Sequence, residues 1–154
     1  MKVKFGKLWF RAKKRLTETW DESRARDCHE NRQLYVAVLE ADSGPSRFVE
    51  INNDYIGVGF LDALLREYLS FQFQEVEPGR LFLTMATHRE FEGDSDKVKC
   101  GTTYYFEQDG LVTIESEDFV KKTHSVKETQ ADVSGNWEPY PAFGQYQSVV
   151  RENR

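Results

Sequence analysis

Read at 100° per residue, Phe5, Leu8, Trp9, Ala12, Leu16 and Trp20 fall on one arc of about 120°, with Lys4, Lys7, Arg11, Lys14 and Arg15 opposite. This pattern predicts a basic amphipathic helix from residue 5 to about 27, making 1–27 the first segment of the chain. Packing of Trp9 and Trp20 on the rest of the domain is favoured over a basic face laid on nucleic acid or anionic lipid.

From Gln33 the period changes to two. Leu34 to Leu39 is apolar on both faces and suits a central strand, and Asp42, Ser43, Gly44 and Pro45 turn it into Phe48 to Ile51. Leu69, Phe71 and Phe73 alternate with Ser70, Gln72 and Gln74, and Glu77-Pro78-Gly79-Arg80 turns that strand back into Leu81, Leu83 and Met85. Tyr104 and Phe106, then Asp109-Gly110, then Leu111 to Ile114 predict a third hairpin. His124 to Gln130 adds an edge strand. Between the first two hairpins, Phe60, Leu61, Leu64, Leu65 and Tyr68 recur at helical spacing with Asp62 near the start, predicting a short helix over 60–68.

Residues 136–150 carry Trp137, Tyr140, Phe143 and Tyr146 at every third position with Pro139 and Pro141 between them, which predicts an extended aromatic strap over a sheet face. The expected architecture is a single α+β domain. It consists of an N-terminal amphipathic helix (1–27), a curved antiparallel sheet, meander or partial barrel, over 32–135 with one inserted helix, and the strap. At 154 residues with 39% hydrophobic and 14% aromatic content, the chain is long enough for one real core.

Charge along the chain is more informative than overall composition. The first sixteen residues hold seven Lys or Arg and no carboxylate, so a +7 segment precedes a −12 body. Such asymmetry points to a charged partner or to one part of the molecule docking on another. No apolar run reaches the roughly eighteen residues of a membrane span. Cys28 and Cys100 form no disulfide framework and no apolar leader is evident, which places the expected home in the reducing cytoplasm.

No catalytic signature rises above background. Cys28-His29, His88, Cys100 and His124 lack metal-ligand spacing, and adjacency alone does not make Cys28 and His29 a nucleophile and base. Gly57-Val58-Gly59 lacks the third glycine of a dinucleotide loop and reads as relief of a bend. Asp94-Ser95-Asp96 lacks the ordered ligands of a calcium loop. These readings predict a non-enzymatic protein with no cofactor and no metal.

The strongest remaining signal is acidic. Glu90, Glu92, Asp94, Asp96, Glu107, Asp109, Glu115, Glu117 and Asp118 stand against Lys97 and Lys99 alone, a net −7 over a loop and the third hairpin. If these carboxylates gather on one side of a rigid sheet, they attract a cationic protein partner and repel nucleic acid, leaving the basic N-terminal helix as the only route to nucleic acid.

The segments Phe48-Val49-Glu50-Ile51-Asn52-Asn53, Glu75 to Leu83, Thr102-Thr103-Tyr104-Tyr105-Phe106 with Asp109-Gly110, and the closing Trp137 to Tyr146 resemble small bacterial immunity proteins encoded beside polymorphic toxins. That resemblance implies a cytoplasmic, non-enzymatic protein that binds one cognate toxin domain and blocks its active site, and the charge pattern makes the nine acidic residues the expected contact with a cationic toxin such as a nuclease. The alternative is a small-ligand carrier whose curved sheet closes around an apolar cavity lined by Phe71, Phe73, Tyr104 and Phe106.

Overall fold

A computed structural model describes residues 2–154. Eleven strands join in one antiparallel sheet: β1 (Lys2–Phe10), β2 (Arg15–Trp20), β3 (Tyr35–Ala41), β4 (Gly44–Ile51), β5 (Tyr55–Leu61), β6 (Glu67–Glu77), β7 (Arg80–Phe91), β8 (Val98–Phe106), β9 (Leu111–Asp118), β10 (Thr123–Gln130) and β11 (Trp137–Pro139). The spatial order is β10-β9-β8-β7-β6-β5-β4-β3-β1-β2, and β11 pairs with β7 at Arg80–Phe82. The sheet is open, with β10 and β2 at its edges. One α-helix, α1 (Glu22–Glu30), links β2 to β3.

The expected N-terminal helix is therefore overturned, and with it the α+β class: residues 2–20 are a β-hairpin. Apolar residues that share a helical arc here face each other across the turn, Trp9 opposite Leu16 and Phe5 opposite Trp20. The strand form wins because Lys2–Gly6 pairs with Val36–Glu40 of β3, so β1 lies inside the sheet with Val3 and Phe5 against the main core. Gly6 lets β2 approach β1 closely, since a Cβ there would stand 2.7 Å from the Glu18 carbonyl oxygen. Within this part of the chain the helix is confined to residues 22–30. Asp21 caps them by accepting the Arg24 N–H at 2.9 Å, and the fully buried Ala25 seats the helix on β3.

The inserted helix over 60–68 is also overturned. Phe60 and Leu61 end β5, Tyr68 belongs to β6, and Asp62 closes the turn by accepting the N–H groups of Leu64 and Arg66, each at 2.9 Å. Asp62 is a turn acceptor. The loop bends at Leu65, whose φ is +58°. Gly57 and Gly59 lie within β5 and relieve no bend. A Cβ on Gly59 would meet the Phe48 ring at 2.2 Å, so its bare backbone admits that ring flat on the sheet.

The second hairpin forms as the alternation predicts. Glu77 pairs with Arg80 around Pro78-Gly79, and Phe71, Phe73, Leu81 and Leu83 are all buried. They share one sheet face with Tyr35, Val49, Ile51, Ile56 and Val58, and that face is covered by α1 and the C-terminal strap through Tyr146, Val149 and Val150. Fully burying each such side chain is worth about 1.5–3 kcal/mol, so this cluster dominates stability. The other face carries a smaller cluster of Trp9, Val36, Val38, Phe48 and Leu61, in which Trp9 stacks on Phe48 at 5.5 Å and 17°. No described helix is long and apolar enough to cross a membrane.

Candidate functional site

Beyond β7 the sheet is covered only at one end of one face, where Val133 and Trp137 pack on Phe106, Val112 and Ile114. β8, β9 and β10 form a three-stranded wing whose outer strand is exposed at all eight positions. Alternation assigns its side chains to two faces. Thr103, Glu115 and Val126 align across the wing on one face, with Gly101, Glu117 and His124 beside them. Glu128 follows on the same face of β10. Tyr104, Ile114 and Lys127 align on the other, with Thr102, Ser116 and Ser125. His124 Nε2 lies 3.6 Å from Glu115 Oε2.

The nine carboxylates do not gather on one side. Glu115 and Glu117 share one face, joined by Glu128, which lay outside the acidic stretch, while Glu90 and Asp118 flank Cys100 on the other. Glu90 lies on the opposite face, where its Oε2 accepts from the Cys100 thiol at 2.7 Å and raises that thiol's pKa. Glu92, Asp94 and Asp96 sit in the loop between β7 and β8, with Asp96 bound to Lys14 at 2.8 Å and Glu92 to Lys97 at 3.4 Å. Glu107 and Asp109 lie at the far end of β8, a strand length of roughly 30 Å away. Asp109 accepts the Leu111 N–H there. Asp118 closes the β9–β10 turn, where the N–H groups of Lys121 and Val120 hold its carboxyl below the usual range. Strand parity and turn position divide these groups, and a count along the chain registers neither.

Apolar groups border the Glu115 face. Phe119 is 49% exposed and Val126 55%, and a shallow cleft of about 230 Å³ lies between Arg89, Thr103, Glu115, Glu117 and Phe119.

A second concave region lies on the same side of the sheet, beneath the β1–β2 turn. Arg11 reaches Glu67 at 3.0 Å and Glu50 at 3.1 Å, while Lys14 reaches Asp96 and the Leu64 carbonyl. The basic N-terminal segment therefore docks on the acidic body of its own chain. Clefts of about 650 and 390 Å³ flank Trp9. Arg11, Glu50, Glu67 and Arg89 come from four elements at unrelated spacings, so no local signal marks them. Glu50 and Glu67 are both held by the Arg11 guanidinium and Asp96 by the Lys14 ammonium, an arrangement suited to clamping the hairpin. Among the described residues no three His, Cys, Asp or Glu converge as metal ligands, and Cys28 and Cys100 are both free.

The rings expected to line a carrier's cavity do not surround one. Phe71 and Phe73 are buried beneath the Arg154 guanidinium, 5.4 and 5.0 Å from their centroids, and Tyr104 stacks on Phe106 at 6.3 Å.

The chain matches no family model, no curated protein and no solved structure.

Proposed function

We propose that the protein is a non-enzymatic binder that neutralises a cationic toxin domain, and that the partner docks on the wing face carrying Glu115, Glu117 and Glu128. The observation that carries this reading is the exposure of all eight β10 residues at the margin of a rigid sheet. The outer strand of the wing adds little to the chain's own core, so its side chains are free to serve a partner. Carboxylates beside the half-exposed Phe119 and Val126 combine a steering field with apolar surface that a partner can bury. The small-ligand reading ranks second. Its support is the cleft volume beside Trp9, which falls within the range of ligand pockets.

The test is association kinetics against the toxin domain encoded by the neighbouring gene. The double variant Glu115→Lys/Glu117→Lys is expected to slow association at least tenfold while leaving thermal unfolding unchanged, because exposed charges contribute little to stability. The parent's rate is expected to fall between about 0.05 and 0.15 M salt as screening shortens. Equal rates for parent and variant, with the toxin still neutralised, would place the interface elsewhere.

A further inference from the structure

Backbone polarity at the sheet margin, together with the side-chain order of β10, points to a specific occupant for that edge. The hydrogen bonds that bracket the wing establish which groups face outward. Glu107 N–H donates to Leu111 C=O at 3.0 Å and Ala131 N–H to Gly110 C=O at 2.9 Å. In an antiparallel ladder, hydrogen-bonded and non-hydrogen-bonded pairs alternate. Thr123, Ser125, Lys127 and Thr129 therefore turn their backbone groups toward β9. Those of His124, Val126, Glu128 and Gln130 point away from the sheet, where no described strand pairs with them.

We propose that β10 pairs antiparallel with β10 of a second copy of this chain, with Val126 on the two-fold axis. In that register outward-facing groups meet outward-facing groups, giving roughly six backbone hydrogen bonds across the seam. The side chains are self-complementary. Val126 meets Val126 of the partner subunit at the centre, His124 lies opposite a carboxylate at Glu128, Ser125 opposite Lys127, and Thr123 opposite Thr129. Val126 is 55% exposed in the single chain and gains an apolar neighbour.

Neighbouring registers are poorer. A shift one way sets Lys127 against itself, and the other way leaves Glu128 opposite Lys122, whose φ of +56° lies outside the strand region, so that fewer outward groups of β10 find partners. Lysines commonly guard an edge strand, yet Lys127 points to the face opposite Val126 and meets only a serine here. The pairing extends the sheet through two copies and sets the two Glu115 faces side by side. It does not depend on the neutralisation reading, because it uses the strand edge and needs no other partner.

The experiment is sedimentation velocity of the purified chain from about 5 to 500 μM, since a seam of one strand is a small interface and a micromolar constant is expected. The parent should sediment increasingly as a dimer. Val126→Pro removes an outward N–H without touching the β9 ladder, and Val126→Lys places like charges on the axis; both should remain monomeric with unchanged far-UV circular dichroism. Glu128→Lys and His124→Glu should each weaken dimerisation about fivefold, and the double variant His124→Glu/Glu128→Lys should restore it to within about twofold. A parent that stays monomeric throughout overturns the proposal and leaves the edge to a strand of another protein. A dimer that survives Val126→Pro, or a double variant without recovery, overturns it equally.

Discussion

The hydroxyl of Tyr35 on β3 lies 2.9 Å from that of Tyr146 in the C-terminal strap, and His29 Nδ1 on α1 lies 2.8 Å from the same Tyr35 oxygen. The consecutive elements α1 and β3 are thereby bolted through one phenol to a strap more than a hundred residues further along the chain. Burial, with the adjoining phenol, pushes the Tyr35 ionisation far upward, so it remains a neutral hydrogen-bonding group at any physiological pH.

Removing the two hydroxyls should carry unequal costs. Tyr146→Phe leaves Tyr35 its His29 partner and is expected to cost about 0.5–1.5 kcal/mol, whereas Tyr35→Phe strips both neighbours and should cost about 1–3 kcal/mol. Urea unfolding of both variants checks this, and equal costs would mean that the His29 contact adds nothing.

His29 makes the same junction sensitive to acid. Burial holds its imidazole below the ordinary value of 6.5, with the Arg32 charge acting in the same direction. The unfolded chain therefore binds the proton more readily. The His29 contribution is fully present above pH 6.5 and is lost as pH falls through the depressed folded value. Stability should decline below pH 6.5, and His29→Gln should flatten that limb. The depressed carboxylates Asp62 and Glu75, with ordinary values of 3.8 and 4.5, act only at lower pH. Unfolding midpoints from pH 4.5 to 8 separate the two ranges.

Gly59→Ala should destabilise by about 1–3 kcal/mol, because the new methyl would stand 2.2 Å from the Phe48 ring in a packed site. Displacing Phe48 also disturbs the stacked Trp9, so a shift in tryptophan emission should accompany the lower denaturation midpoint.

Arg11→Met tests the hairpin clamp. The Arg11 side chain is 59% exposed while Glu50 and Glu67 are 22% and 15% exposed, so solvent screening limits each pair. A loss of about 0.5–1 kcal/mol is expected. It should shrink in 1 M salt, which a denaturant titration at two ionic strengths measures.

Local chemistry in the sequence settled the β6–β7 hairpin, where Pro78-Gly79 and the alternation around it agree, and the Asp109-Gly110 turn between β8 and β9. In both cases the signal and the structure lie within a few residues of each other. The first twenty residues show the converse. Their apolar positions are mirrored about the turn near Lys14, and a mirrored pattern satisfies a helical period as well as a hairpin. The decision came from β3, about twenty residues further on, which offers β1 a ladder and a buried face.

The same division holds for the candidate site. That the segment from Glu90 to Asp118 is strongly acidic is legible in its composition alone. Tertiary structure decided that Glu115 and Glu117 share a face with Glu128, that Asp96 neutralises Lys14, and that β10 is left bare on both faces. Strand parity is set by register, and register depends on which strands pair, so no local window along the chain contains it.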